Sequence, residues 1–122
     1  METNAVYQNG NYKINSSEID WAAHPKFAGV YMKNVLTGKD TDNRFSSHIV
    51  KIEPGCEIGN HIHEGKTELH EIIEGQGTAL VNDKKIDYTL GVVSLIPDSV
   101  PHEIKSGEKG LLLLAKFIPA LN

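Results

Sequence analysis

Apolar and polar residues alternate at every second position, or gather in short apolar runs, along most of this chain, and glycine, proline, asparagine or aspartate closes each run. That period of two is the signature of extended strands with one buried face. The first clear run covers 30–36 and is broken at 37–40. A second covers 44–52 and stops at Pro54-Gly55. Its two alternating faces, Phe45/Ser47/Ile49 and Ser46/His48/Val50/Ile52, are comparably apolar, so the pattern leaves the inward one open. Further runs cover 69–74 and 78–81, separated by a turn expected at Gly75-Gln76-Gly77. Another turn at Asn82-Asp83 precedes 84–88. An apolar run at 92–96 leads into a proline-bounded loop at 97–101. The strand that follows, 102–105, ends in a polar turn at 106–110, and 111–118 forms a last strand ended by Pro119. No stretch keeps a 3.6-residue period for more than a turn or two, which predicts low helix content and an all-β sandwich or barrel. Residues 1–11 are polar and rich in asparagine, and read as a loose arm or an edge strand. Residues 12–14 suggest a short strand, and 16–27 a loop packed on the body. The expected organisation is one domain, with an arm over 1–28 and a β-barrel over 29–122.

One polar stretch stands out against this frame, His61-Ile62-His63-Glu64-Gly65-Lys66-Thr67-Glu68. Residues i and i+2 of an extended strand point the same way, so His61 and His63 converge from one face. Gly65 and Thr67 permit a turn, and a hairpin there would return Glu68 beside the two histidines. Two imidazoles and a carboxylate on one side suit Fe(II), Mn(II), Ni(II) or Zn(II). A solvated polar face is the alternative.

The spacing around the stretch is specific. Gly55, His61, His63, Glu68 and Gly75 fit the pattern G-x5-H-x-H-x4-E-x6-G at every fixed position. Downstream, Gly91, Pro97 and His102 fit G-x5-P-x-G-x2-H-x3-N, with Ser99 in place of its glycine and Ser106 in place of its asparagine. These are the two motifs of the cupins, and from about Phe45 onward the chain resembles a small single-domain cupin. The resemblance implies a jelly-roll (double-stranded β-helix) barrel. It also implies one divalent transition metal (Fe, Mn, Ni or Zn) held by His61, His63, Glu68 and His102. Small cupins commonly pair, which implies a homodimer in which the polar N-terminal arm could cross onto a partner sheet.

His70 follows Glu68 by two and shares its face, where many cupins carry an apolar or aromatic residue. It is a candidate fifth ligand, acid/base or partner orienting Glu68. A half-buried imidazole satisfied by a carbonyl is the plain alternative. His24, before a proline, reads as a surface turn residue, and His48 as core or surface with the pocket still open to it. Ile72, Val81, Val93, Leu95 and Leu113 are expected in the core or the pocket wall. Four protein ligands leave positions open on a six-coordinate ion, where an oxyanion or water can bind. The expected function is a metal-dependent enzyme of dioxygenase, isomerase or lyase type acting on a small anionic or hydroxylated metabolite. A ligand- or metal-binding module without turnover is the second reading, and an interaction protein with a vestigial site the third. Arg44 is the sole arginine, and Lys33 and Lys51 are the basic candidates on strands. A carboxylate, enol, polyol or phenol is therefore expected before a phosphorylated compound.

Composition narrows the rest. The 122 residues carry a formal charge of −4 and no lysine- or arginine-rich block, against a nucleic-acid partner. Cys56 is the single cysteine, so no internal disulfide forms. No apolar run approaches the length of a membrane span, and the N-terminus lacks a signal-peptide pattern. The expected setting is cytoplasmic, with no membrane partner and no fused DNA-binding unit.

Overall fold

A computed structural model describes residues 4–8, 10, 11 and 13–122. The elements run β1 (Val6–Gln8), β2 (Lys13–Asn15), a 3-10 turn (Ser16–Glu18), β3 (Ala22–Ala23), β4 (Val30–Leu36), α1 (Gly38–Thr41), β5 (Ser46–Ile52), β6 (Glu57–His61), β7 (Thr67–Val81), β8 (Lys84–Tyr88), β9 (Val93–Ile96) and β10 (His102–Ile118). The strand expected at 12–14 thus appears as β2, although Tyr12 itself lies outside the described residues. The single-turn helix α1 replaces the expected break, and a capping box between Thr37 and Asp40 holds it. No helix among the described residues is long and apolar enough to cross a membrane.

The sheet is antiparallel throughout, in the order β3-β4-β5-β10-β7-β8, with β6 added to β10 and β9 to β7. Two strands are far longer than the pattern suggests. The turns expected at 75–77 and 106–110 do not exist as turns, because β7 and β10 run straight through them. The register slips between Ser106 and Leu111, so both strands bend together there. Gly75 (φ 78°) and Gly110 (φ 80°) sit at the bend, and a Cβ on Gly75 would meet the Gly110 carbonyl oxygen at 2.1 Å. Glycine marks a turn in either case; what it marks here is a corner where two paired strands pass from one layer to the other. The second half of β7 and first half of β10 join β6 and β8. Their other halves join β4, β5 and β9. The result is an all-β jelly-roll barrel.

The interior resolves the ambiguous strand. Val50 and Ile52 of β5 pack with Ile72, Leu111, Leu113, Ala115 and Phe117, so Ser46, His48, Val50 and Ile52 form the inward face. Outside, the β1–β2 hairpin lays Tyr7 and Ile14, with Trp21, over Val35, Ile49 and Leu112 of its own sheet. The described residues of the arm are therefore folded onto this chain's body, and residues 1–3, 9 and 12 lie outside the described ones. Ile72 and Leu113 are core as expected, and Val81 packs against the core. Val93 and Leu95 are not core. Each is 60% exposed on the outer side of β9, whose inward residues are Ser94 and Ile96. An edge strand covered on one face can carry apolar residues on both, and hydrophobicity alone does not tell them apart.

Candidate metal centre

The barrel brings His61, His63, Glu68 and His102 together, with one potential ligand atom from each lying within 4.8 Å of the others. They arrive by a route different from the hairpin expected. β6 pairs with β10, and His61 stands opposite His102 in register. Glu68 comes from the first half of β7, which pairs with the other half of β10 and with β9. The carboxylate thus meets the imidazoles across the barrel. His63 lies just beyond the end of β6. A loop-to-loop lacing holds it: the Ser99 N–H donates to the His63 carbonyl at 3.3 Å, and the Gly65 N–H to Asp98 Oδ1 at 2.6 Å. Ser99, the serine at a motif glycine, adopts the glycine-like φ of 63° while its hydroxyl donates to Asp98 Oδ1 at 2.7 Å. Ser106, at the motif asparagine, donates its hydroxyl to the Ile52 carbonyl at 3.2 Å.

The hydrogen bonds orient the rings. His61 Nδ1 is 2.7 Å from the Gly59 carbonyl and His102 Nδ1 is 2.9 Å from the Val100 carbonyl. A carbonyl only accepts, so both Nδ1 atoms carry protons and both Nε2 lone pairs are free. Gly59 also admits Phe27, whose ring lies 3.1 Å from where a Cβ would stand and 6.2 Å, between centroids, from His61. Glu68 Oε1 and His102 Nε2 are buried 3.1 Å apart without hydrogen-bond alignment, and neither has another partner. His63 Nε2 is 3.8 Å from the same Oε1. Lone pairs facing one another in a buried site are unfavourable until a proton or a cation lies between them. Imidazoles fixed by backbone carbonyls, around an orphaned carboxylate oxygen, are the donor set a divalent transition metal requires.

Electrostatics agree with the geometry. Burial lowers His61 and His63 below the ordinary imidazole range, so both are neutral near pH 7. Burial would lower His102 as well, but Glu68 and the Val100 carbonyl outweigh it and raise this imidazole. Burial would raise Glu68, yet His70 and His102 overcome that and hold its carboxyl well below the usual range.

His70 points inward as its spacing requires, is 1% exposed, and sits behind Glu68. Its Nε2 is 2.7 Å from Glu68 Oε2 and its Nδ1 is 2.8 Å from the Tyr88 hydroxyl. His48 is inward too, but is held by Asn34 and Ser46 outside the four-residue cluster.

A cavity of about 570 Å³ opens onto His61, His63 and Glu68, walled by Phe27, Met32 and Leu121 among others. Its size suits a small ligand. Two smaller clefts, at Leu80–Lys85 and at Gln76–Asp87, do not touch the cluster. The segment 24–27 lines the cavity, which the sequence did not announce. His24 Nδ1 accepts the Lys26 and Phe27 N–H groups at 3.0 and 3.3 Å, a turn that sets Phe27 and Lys26 at the opening. The strand lysines lie elsewhere: Lys33 and Lys51 cover Trp21 on the outer face.

The cupin domain model matches residues 48–115, more than half of the chain. The chain belongs to the cupin domain family. Among curated proteins, this cupin is 33% identical over 70 residues to an oxalate-binding protein of Thermotoga maritima, covering 57% of this chain and 58% of that one. It therefore spans under two thirds of the curated relative it matches. The crystal structure of a predicted oxalate decarboxylase of Thermotoga maritima superposes on this cupin with a TM-score of 0.79 and 29% identity, over 85% of this chain and 96% of that one. KdgF of Halomonas sp. shares the fold, with a TM-score of 0.77 and 20% identity, over 87% and 91% of the two chains.

Proposed function

We propose that this cupin is a metal-dependent enzyme that holds one divalent transition metal with His61, His63, Glu68 and His102 and acts on a small anionic or hydroxylated metabolite. The observation that carries the reading is the buried, unsatisfied pair Glu68 Oε1 and His102 Nε2, 3.1 Å apart, of which Glu68 lines the cavity. When bound, the ion supplies a Lewis acid beside open coordination positions. The protein supplies the rest. The Gly59 and Val100 carbonyls keep two imidazoles in the ligating tautomer, while Phe27, Met32 and Leu121 give the cavity an apolar wall. Lys26 borders the cavity and favours an anion entering it. A small dicarboxylate is the first ligand to test, because the curated relative is an oxalate-binding protein.

A specific observation also favours the second reading, binding without turnover. Outside the four proposed ligands, His24 is the one imidazole among the described cavity-lining residues, and no further carboxylate or hydroxyl lines the cavity to serve as acid or base. Elemental analysis separates metal from no metal: we expect about one ion per chain, and loss of most of it in a His61→Ala, His63→Ala double variant. Unchanged metal in that variant would sink the assignment. Loaded protein is then offered oxalate and related carboxylates with and without oxygen. Product formation abolished by His102→Ala supports the enzyme, and saturable binding with no product under any condition supports the binding module.

A further inference from the structure

We infer that Tyr88 is a positioning residue for the metal centre: it reinforces the His70 tautomer that Glu68 selects, and through His70 it helps hold Glu68 to a single ligating oxygen. The inference rests on the proposed metal site and adds to it a chain of buried groups behind the ligands. Each direction in that chain follows from the atoms. A carboxylate only accepts, so His70 Nε2 donates to Glu68 Oε2 across 2.7 Å. In a neutral imidazole the other nitrogen is then bare, and His70 Nδ1 accepts the phenolic proton of Tyr88 across 2.8 Å. Tyr88 is 0% exposed on β8, and burial pushes its phenol up to about 12, so the donating proton stays in place. Ser94, buried on β9 directly opposite His70 in register, has its hydroxyl beside Tyr88.

The geometry at Glu68 gives the consequence. Oε2 is taken by His70, while Oε1 is buried without a hydrogen bond and faces the histidines. A carboxylate tethered at one oxygen presents the other alone, so Glu68 fills one coordination position instead of two. His70 and Tyr88 do not line the cavity. They act on a ligand in it only through Glu68.

The test reads tautomer and metal separately. Nitrogen-15 NMR of the metal-free wild-type protein is expected to show His70 protonated at Nε2 and bare at Nδ1. In Tyr88→Phe that preference weakens, and affinity for Co(II) falls about 10-fold with a changed visible spectrum. His70→Gln, which keeps a donor for Glu68, retains more affinity than His70→Phe. Finding His70 protonated at Nδ1, or finding that Tyr88→Phe and His70→Phe both bind Co(II) with wild-type affinity and spectrum, overturns the inference. Failure of the metal site itself shows differently, as no Co(II) uptake by wild type or as full uptake by the His61→Ala, His63→Ala variant. The tautomer measurement decides the role of Tyr88 even then.

Discussion

His48 shows how this barrel treats an imidazole outside the cluster. Its Nδ1 is 2.7 Å from Asn34 Oδ1 and its Nε2 is 2.8 Å from Ser46 Oγ, which in turn accepts the Leu121 N–H at 2.8 Å. Burial is the main cause that takes its pKa down to about 4 from the ordinary 6.5. In the unfolded chain the ring gains a proton as pH falls through 6.5, whereas the folded protein refuses it until about 4. Its contribution is therefore complete above 6.5 and lost as pH drops through that window, by at most roughly 3 kcal/mol. Denaturant unfolding at pH 7 and pH 4.5 should show the wild type losing more stability than His48→Gln; equal losses would contradict this. Nothing in the residue pattern chooses His48's face, because both faces of its strand are comparably apolar. His70 was legible, since one unbroken strand carries it and Glu68. Tyr88 was not, as it stands 18 residues further on in a strand that only the folded sheet brings beside β7.

At the scale of elements, the two long strands carry the architecture and were the hardest part to read. Glycine with polar neighbours at 75–77 and 106–110 reads as two turns; only the partner strand shows that the glycines face each other at one corner. Substituting either should be costly. Gly75→Ala places a Cβ 2.1 Å from a backbone oxygen at a φ of 78°, with no flexible side chain to give way. We expect a loss of about 3 kcal/mol or failure to fold. Gly65→Ala is the control: it shares the positive φ but has open space around it, so it carries the backbone strain without the collision. Similar unfolding midpoints for the two variants would show that the corner tolerates a side chain. Of the short strands, β4, β8 and β9 were legible because glycine, proline or an Asn-Asp pair bounds each, whereas β3 falls in a segment that reads as a loop and the start of β6 has no alternating pattern to announce it. Asn82 and Asp83 do take the left-handed φ values, 51° and 65°, of a tight hairpin.

For the whole molecule, Val93 and Leu95 form with Leu69 an apolar patch on the outer surface, which the Glu71–Lys116 ion pair separates from Ile73 and the cluster under the N-terminal hairpin. With the arm folded on its own body, this uncovered part of the sheet is the place where a second copy of the chain would sit, apolar face on apolar face. Light scattering should give twice the chain mass, and Val93→Asp with Leu95→Asp should return it to one; a wild-type monomer at micromolar concentration would refute the pairing. β10 carries a different consequence. It is the final strand, yet it is the hydrogen-bonding partner of β5, β6 and β7. On the ribosome, β5, β6 and β7 must each wait with an open edge, because contacts so distant along the chain close last and expose sticky intermediates while they are pending. His102 is the first residue of that strand. Synthesis therefore delivers the fourth proposed ligand and the strand that joins the two layers in one step, and a nascent chain cannot assemble the proposed four-ligand site before its barrel has the means to shut.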